Sequence, residues 1–456
     1  MLQKKIFYFF SYAYIYATGL TDLTIPLLIW HIIFIMSVNN NSKLFSNFIA
    51  LSIVQGTNFL LPLLVMPYVI YRIGADGFGV IAVAQVVMIY LSTISDYGFN
   101  LTATKDIALH KNDPLKISKI FFTVLASKLL ITAFLLILLL LAATVIPVVK
   151  THFVLYTLGF MYVVGQSLFV NWFFQGKEKM HYITISTLVS RLVFVVLVFL
   201  FINQKGDGIY FLFFLGIGNT IAGLLSIFLA VKIFELNFVI PIWADIVHEL
   251  KEGWQITVSN LSINTYLYCG IFILRIFTND LVVGYYSIAE RIFFAVRQVL
   301  SVFSQVVYPH ICQLTLKGKQ AAGIFFKQVY LPFLLLVAGG CGLMFIFSEQ
   351  LIHLFVKDAS TLPVLLLRMF SFVPVIVCLN IPAYQLLLAF NRKKSYLMIL
   401  GLATVINIIF NLLLVNSFGA TGTVLSVIIT ELFITAGLNL ELYKNNLSGF
   451  VLPGTV

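Results

Sequence analysis

Apolar stretches of about 20 residues recur along the whole chain, and this recurrence restricts the fold more than any motif does. Hydrophobic residues make up 61% of the 456 positions and charged residues 10%, whereas soluble domains carry about 25% charged residues. A soluble fold could not bury so much apolar surface, and stretches of this length cross a bilayer as helices. The sequence therefore predicts an all-α polytopic membrane protein.

The apolar pattern divides into about twelve predicted transmembrane helices, with no soluble domain between them. They cover approximately residues 48–71, 79–97, 118–147, 152–174, 182–202, 209–232, 254–274, 282–308, 325–347, 362–388, 396–416 and 420–441. The amphipathic segment 234–253 is predicted to be a cytoplasmic linker on the membrane surface. It separates an N-terminal lobe, residues 36–233, from a C-terminal lobe, residues 254–445, which a tail follows at 446–456.

Residues 1–35 do not fit this scheme, because they are apolar and aromatic but carry Asp22 and Pro26 in their middle. Three interpretations remain open: a re-entrant or interfacial hairpin, a thirteenth span, or a hydrophobic extension upstream of a translation start at Met36. We favour the last, because the segment after Met36 is short and polar and leads directly into the first span.

The distribution of Lys and Arg predicts the orientation of the twelve spans. With Lys43 placed inside, 16 of these residues fall in cytoplasmic segments and 5 in outer loops. Basic residues concentrate in cytoplasmic loops of membrane proteins, so both ends of the twelve-span region should be cytoplasmic. The net charge of +11 then reflects topology and contact with anionic membrane lipids, and a nucleic-acid partner is not expected.

The stretch "RIGADGFGVIAVAQ" (72–85) places three glycines within six residues. A phosphate-binding loop would need a preceding strand and a later Lys-Ser/Thr or acidic residue, and none is present, so a tight turn between two spans is expected. "GVIAVAQ" (79–85) aligns with "GYYSIAER" (284–291) at an offset of 205 residues. This match predicts a parallel repeat of two six-helix lobes with a substrate path between them.

Charged residues inside spans are costly and point to function. The acidic ones, which are candidates for ion coupling, are Asp96, Glu290 and Glu431. The basic ones are Lys128, Arg191, Arg291, Arg297 and Arg368. The basic excess favours an anionic substrate, because guanidinium groups bind phosphate through paired hydrogen bonds. The alternative for each residue is snorkelling or an intramembrane ion pair. Arg291 and Arg297 are six positions apart, so they should not both point into one narrow seam.

Amide side chains inside spans form a second set of candidates for substrate binding: Asn58, Asn260, Asn264 and Asn380. Such residues often join helices by hydrogen bonds, but their presence in several spans also suits a cavity that binds sugars. No catalytic carboxylate pair, HExxH motif or nucleophile elbow occurs, and the four cysteines lack metal-binding spacing. No catalytic residue, metal or cofactor is therefore expected.

Two segments carry a family resemblance. "DYGFNLTATKDIALHKND" (96–113) and "VVGYYSIAERI" (282–292) resemble motifs of bacterial O-antigen flippases of the Wzx type, polysaccharide transporters of the MATE-like superfamily. The resemblance covers roughly residues 40–445. Asp96, Gly98, Thr102 and Lys105 match the first motif, and the second is matched by Gly284, Tyr285, Ala289, Glu290 and Arg291.

The resemblance implies two six-helix lobes around a central cavity, in the bacterial inner membrane. It also implies alternating access that carries an undecaprenyl-diphosphate-linked oligosaccharide from the cytoplasmic to the periplasmic leaflet, driven by a gradient of H+ or Na+. A polysaccharide polymerase and a chain-length regulator would be plausible partners. Two alternatives stay open: a multidrug or cation efflux pump with the same fold, and a membrane polysaccharide polymerase or ligase.

Overall fold

The structure, a computed structural model, describes residues 42–356 and 361–450, with side chains described from residue 61 onward except at position 448. The predicted extension 1–35 and the end of the tail therefore lie outside the described residues. Within the described residues there are helices and no strands. Eleven helical stretches in this part of the chain are long and apolar enough to cross a membrane. The contacts and cavities described below belong to the unit Ser52–Val456.

The first long helix, α1 (Ser42–Asp96), contains a break at Gly74, where φ is +81° and ψ is 163°. Residues that carry a side chain rarely adopt this backbone conformation, and a Cβ atom at this position would also meet the Asp76 carboxylate. The break lies between the first two predicted spans. Counting its two sides separately gives twelve candidate crossings in the described residues. The glycine stretch is thus a turn between helices.

The rest of the described chain forms a succession of helices, several of them interrupted at loops or prolines. Short 3₁₀ turns occupy Lys205–Tyr210 and Ser448–Phe450, and a π-helical turn occupies Phe326–Tyr330. The α-helices are α2 (Phe99–Leu109), α3 (Pro114–Val145), α4 (Pro147–Thr151), α5 (Phe153–Gly159), α6 (Met161–Leu168), α7 (Asn171–Gly176), α8 (Met180–Phe201), α9 (Phe211–Ile233), α10 (Trp243–Phe277), α11 (Asp280–Lys317), α12 (Lys319–Phe325), α13 (Leu331–Ile346), α14 (Ser348–His353), α15 (Thr361–Phe370), α16 (Val373–Ala389), α17 (Lys393–Phe418) and α18 (Ala420–Lys444).

Helices that are close in the chain pack together within each half. In the first half α9 packs against α6 and α8, and in the second half α18 packs against α16 and α17. A cluster of fully buried aromatic side chains fixes the first half where α3 meets α7; it comprises Phe121, Trp172, Phe173 and Phe174. Apolar residues of both halves share a larger core that surrounds the cavity described below.

Helix α10 begins at Trp243 and continues to Phe277 without interruption. The end of the predicted linker and the seventh predicted span therefore form one continuous helix. Close to its start, the backbone of Gly253 lies against the break between α1 and α2, where Tyr97 and Gly98 have positive φ. The ion pair between Lys119 and Asp245, at 2.9 Å, joins α10 to α3. These contacts attach the first turns of α10 to the first half of the molecule.

Candidate substrate cavity

A cavity of about 750 Å³ lies among helices of both halves. Side chains of α1, α6, α8 and α9 line it from the first half, and α10, α11 and α17 line it from the second half. Its volume falls within the range of about 300–1,000 Å³ that is typical of small-molecule sites. The site therefore lies between the two segments that the sequence repeat relates.

Three of the five basic residues predicted from the sequence line this cavity: Arg191 on α8, and Arg291 and Arg297 on α11. Tyr162 on α6 lies within electrostatic range of both Arg191 and Arg291. Arg291 donates a hydrogen bond to the Gln85 side-chain oxygen on α1. Arg291 and Arg297 were not expected to point together into one narrow seam, but the cavity is broad, and its lining takes in a wide face of α11 that includes both residues.

Arg297 forms an ion pair with a buried carboxylate, that of Glu431. A guanidinium nitrogen of Arg297 lies 3.5 Å from the buried Glu431 carboxylate, and its guanidinium carbon lies 5.7 Å from the centre of the Tyr266 ring. Glu431 also accepts hydrogen bonds from the Tyr266 hydroxyl and, at 3.4 Å, from the Asn380 amide. Glu431 is therefore held in a compensated network behind the cavity wall.

Glu290 is the one carboxylate among the residues described as lining the cavity. It accepts a hydrogen bond from Tyr286 and lies near the Arg291 charge. Three guanidinium groups and one carboxylate thus face the same space. Because desolvated guanidinium groups attract anions and bind phosphate oxygens in pairs, this arrangement can hold an anion with two phosphate groups.

A second, smaller cavity of about 270 Å³ lies beside the first. Seven of its eight lining residues are polar: Ser92, Thr93, Asp96, Asn100, Gln166, Asn260 and Asn264. Ile263 completes the wall and also lines the larger cavity. The two amides of α10 that the sequence predicts as substrate-binding, Asn260 and Asn264, therefore lie in this smaller cavity rather than among the arginines.

Lys128 on α3 pairs with Asp96 on α1 across a distance of 3.0 Å. The ammonium group also donates to the backbone carbonyls of Gln166 and Phe169, at 3.3 and 3.5 Å, and the residue is 1% exposed. Two interpretations were open for Lys128, snorkelling and an intramembrane ion pair, and in the structure Lys128 forms the ion pair. Asp96 faces the smaller cavity while its charge is compensated by Lys128.

Two other predicted residues, Arg368 and Asn380, are not among the described residues that line either cavity. Arg368 on α15 donates from Nε to the Ser348 hydroxyl at 2.9 Å and lies over the Phe345 ring. Asn380 is buried and points to Glu431. Asn58 lies outside the residues whose side chains the structure describes. None of the residues of α15 is among those that line either cavity, and hydropathy does not reveal which helices surround a cavity.

Sequence reasoning missed Gln85, Tyr162 and Tyr266, which contact the charged groups of the cavity. The repeat carried a signal for Gln85, because the offset of 205 that aligns Gly79 with Gly284 also aligns Gln85 with Glu290. The two tyrosines gave no comparable signal, since aromatic residues are frequent throughout the spans.

Comparison with known proteins places this architecture in a family. A family model described as "Polysaccharide biosynthesis protein" matches residues 44–315, more than half of the chain. The protein belongs to this family. Two relatives are named "Putative O-antigen transporter". The one from Escherichia coli (strain K12) is 30% identical over 409 residues, covering 89% of this chain and 98% of the relative. The one from Shigella dysenteriae is 28% identical over 391 residues, covering 85% and 97%.

Solved structures share the fold of this chain. The lipid II flippase MurJ, in an inward closed conformation, superposes with a TM-score of 0.68 at 14% identity, over 90% of this chain and 89% of its own. An inward-facing MATE multidrug transporter superposes with a TM-score of 0.63 at 14% identity, over 86% and 96%. The predicted resemblance and the all-α, MATE-like membrane fold are thereby confirmed.

Proposed function

We propose that this protein is a flippase that moves an undecaprenyl-diphosphate-linked oligosaccharide, an O-antigen or capsule repeat unit, from the cytoplasmic to the periplasmic leaflet. The observation that carries the proposal is the grouping of Arg191, Arg291 and Arg297 around one cavity between the two halves. The names of the two bacterial relatives support a saccharide cargo.

In this proposal Arg191 and Arg291 bind the diphosphate. Their positions on α8 and α11 allow the two guanidinium groups to approach it from different helices, and Tyr162 lies near both. Arg297, already paired with Glu431, contributes less to binding. The lipid tail stays in the bilayer while the two halves open the cavity to one side and then to the other.

An ion gradient of H+ or Na+ would drive the cycle. Glu290 is the strongest candidate to couple it, because its carboxylate lines the cavity and has a hydroxyl as its hydrogen-bond partner. Glu431 and Asp96 each have a basic partner already. The proposed location is the bacterial inner membrane with cytoplasmic ends, and the chain acts as a transporter rather than an enzyme. A polymerase and a chain-length regulator would use its product.

The decisive experiment is deletion of the gene in its host, followed by measurement of lipid-linked repeat units in each leaflet and of surface polysaccharide. Loss of surface polymer with single repeat units on the cytoplasmic side is expected. Complementation with the intact gene is the control, and it should restore both the surface polymer and the distribution of repeat units.

Two other outcomes would contradict the proposal. Repeat units that reach the periplasmic leaflet and stay unpolymerised would indicate a polymerase or ligase. Unchanged amounts in both pools would favour the alternative of multidrug or cation efflux, since a multidrug resistance transporter shares the fold. Complementation with the Arg291→Ala variant should leave surface polymer absent at normal protein level, and full restoration would reject the role of Arg291.

A further inference from the structure

The two cavities are adjacent and are connected by shared side chains. Ile263 on α10 lines both of them. On α6, Tyr162 lines the larger cavity and Gln166, one helical turn later, lines the smaller one, and the two side chains are hydrogen-bonded. A molecule with two chemically different parts could therefore place one part in each cavity without a long spacer.

The lining of the smaller cavity is polar but close to neutral. Asp96 carries its only formal charge among the described residues, and Lys128 compensates that charge from 3.0 Å away. Hydroxyl groups both donate and accept hydrogen bonds, and the amide, hydroxyl and carboxylate groups of this wall offer both functions. The volume of about 270 Å³ is near the lower limit of small-molecule sites, which suits a single sugar ring.

Several of these polar groups retain hydrogen-bonding capacity. Asn264 donates to the Thr93 hydroxyl at 2.6 Å, which leaves its carbonyl oxygen available. The half-buried Asn260 amide forms no side-chain hydrogen bond within the described part of the chain. Asp96 accepts from Asn100 at 2.5 Å and from Lys128, and each carboxylate oxygen can accept a further bond.

We propose that the smaller cavity binds the first, uncharged sugar residue of the cargo, the one attached directly to the diphosphate. This inference rests on the proposed function and adds a saccharide site to it. The covalent bond between sugar and phosphate requires the two sites to be neighbours, and Ile263 and the Tyr162–Gln166 pair make them so. The larger cavity, which the arginines line, binds the diphosphate, and the smaller cavity binds the sugar.

The test compares two probes on purified protein in lipid nanodiscs. One probe is undecaprenyl diphosphate, and the other is the lipid-linked repeat unit extracted from the host deletion strain. The Asn260→Ala variant should bind the sugar-bearing lipid about five- to tenfold more weakly, the loss expected for one or two hydrogen bonds. Its affinity for undecaprenyl diphosphate should stay unchanged. Asn100→Ala serves as a second variant with the same expectation.

The controls separate the saccharide site from the proposed function. Asn439→Ala, on the exposed face of α18, should change neither affinity, and Arg291→Ala should weaken both. Equal effects of Asn260→Ala on both lipids, or no effect on either, would overturn the saccharide site and leave the flippase proposal standing. A deletion strain that traps no repeat units, together with wild-type protein that does not bind undecaprenyl diphosphate, would overturn the flippase proposal itself.

Discussion

Gly79 and Gly284 lie against each other where the second part of α1 crosses α11. The two glycines occupy matching positions in the sequence repeat, 205 residues apart. A Cβ atom on Gly79 would overlap the Asp280 carbonyl oxygen, and one on Gly284 would overlap the Ala75 carbonyl oxygen. Only glycine permits this backbone approach, so the two halves meet through equivalent parts of their chains.

Gly284→Ala should separate α1 from α11 and lower stability by about 1–3 kcal/mol, because the added methyl group has no space beside the backbone. The measurement is the melting temperature of the purified protein, together with surface polysaccharide in a complemented strain. Gly342→Ala is the matched control, since a Cβ atom there meets nothing within 4 Å. A melting temperature for Gly284→Ala equal to that of the control would show that α1 and α11 can move apart to accommodate the methyl group without loss of stability.

Asp96→Asn should destabilise the protein more than Lys128→Met does. Loss of Asp96 leaves the ammonium group of Lys128 buried without a counter-charge, which typically costs about 3–5 kcal/mol. Loss of Lys128 leaves a carboxylate whose side chain is still 22% exposed and can be hydrated. Unfolding midpoints of the two variants, with the double variant as reference, test this asymmetry. Equal losses would mean that the ion pair has more access to water than its burial indicates.

Glu290→Gln and Glu431→Gln should fail in different ways. Glu290 lines the cavity, so Glu290→Gln should remove the response of transport to an imposed ion gradient while leaving the melting temperature nearly unchanged. Glu431 compensates Arg297 and accepts from Tyr266, so Glu431→Gln should lower the melting temperature. Transport into membrane vesicles, measured with a proton or a sodium gradient, separates these effects. A Glu290→Gln protein that still follows the gradient would exclude Glu290 as the coupling group.

Arg368→Gln should leave transport within about twofold of the wild type, because Arg368 contacts Ser348 and the Phe345 ring rather than the cavity. The lost hydrogen bond and ring contact should reduce stability by about 1 kcal/mol. Surface polysaccharide measures the effect on transport, and the melting temperature measures the effect on stability. Arg291→Gln is the comparison variant, which is expected to lose transport. Equivalent loss of transport in both variants would return Arg368 to the substrate path.

The spans and the turn at Gly74 could be predicted because hydropathy and glycine spacing are local properties of the sequence. Arg191, Arg291 and Arg297 could be predicted as cavity residues because a charge inside a span needs a partner or water. Which partner each charge finds was not predictable, since it depends on the rotation and tilt of neighbouring helices. Lys128 pairs with Asp96, 32 positions earlier, and Arg368 with Ser348, 20 positions earlier.

The uninterrupted length of α10 has a mechanical consequence. At about 1.5 Å per residue, its 35 residues extend about 52 Å. Trp243 and Trp254, which are both exposed, lie near one end, and Asn260 and Tyr266 lie further along the same rod. Because the helix is not interrupted, a displacement of the tryptophan end, by a lipid surface or another protein, would also move the residues of α10 that line both cavities.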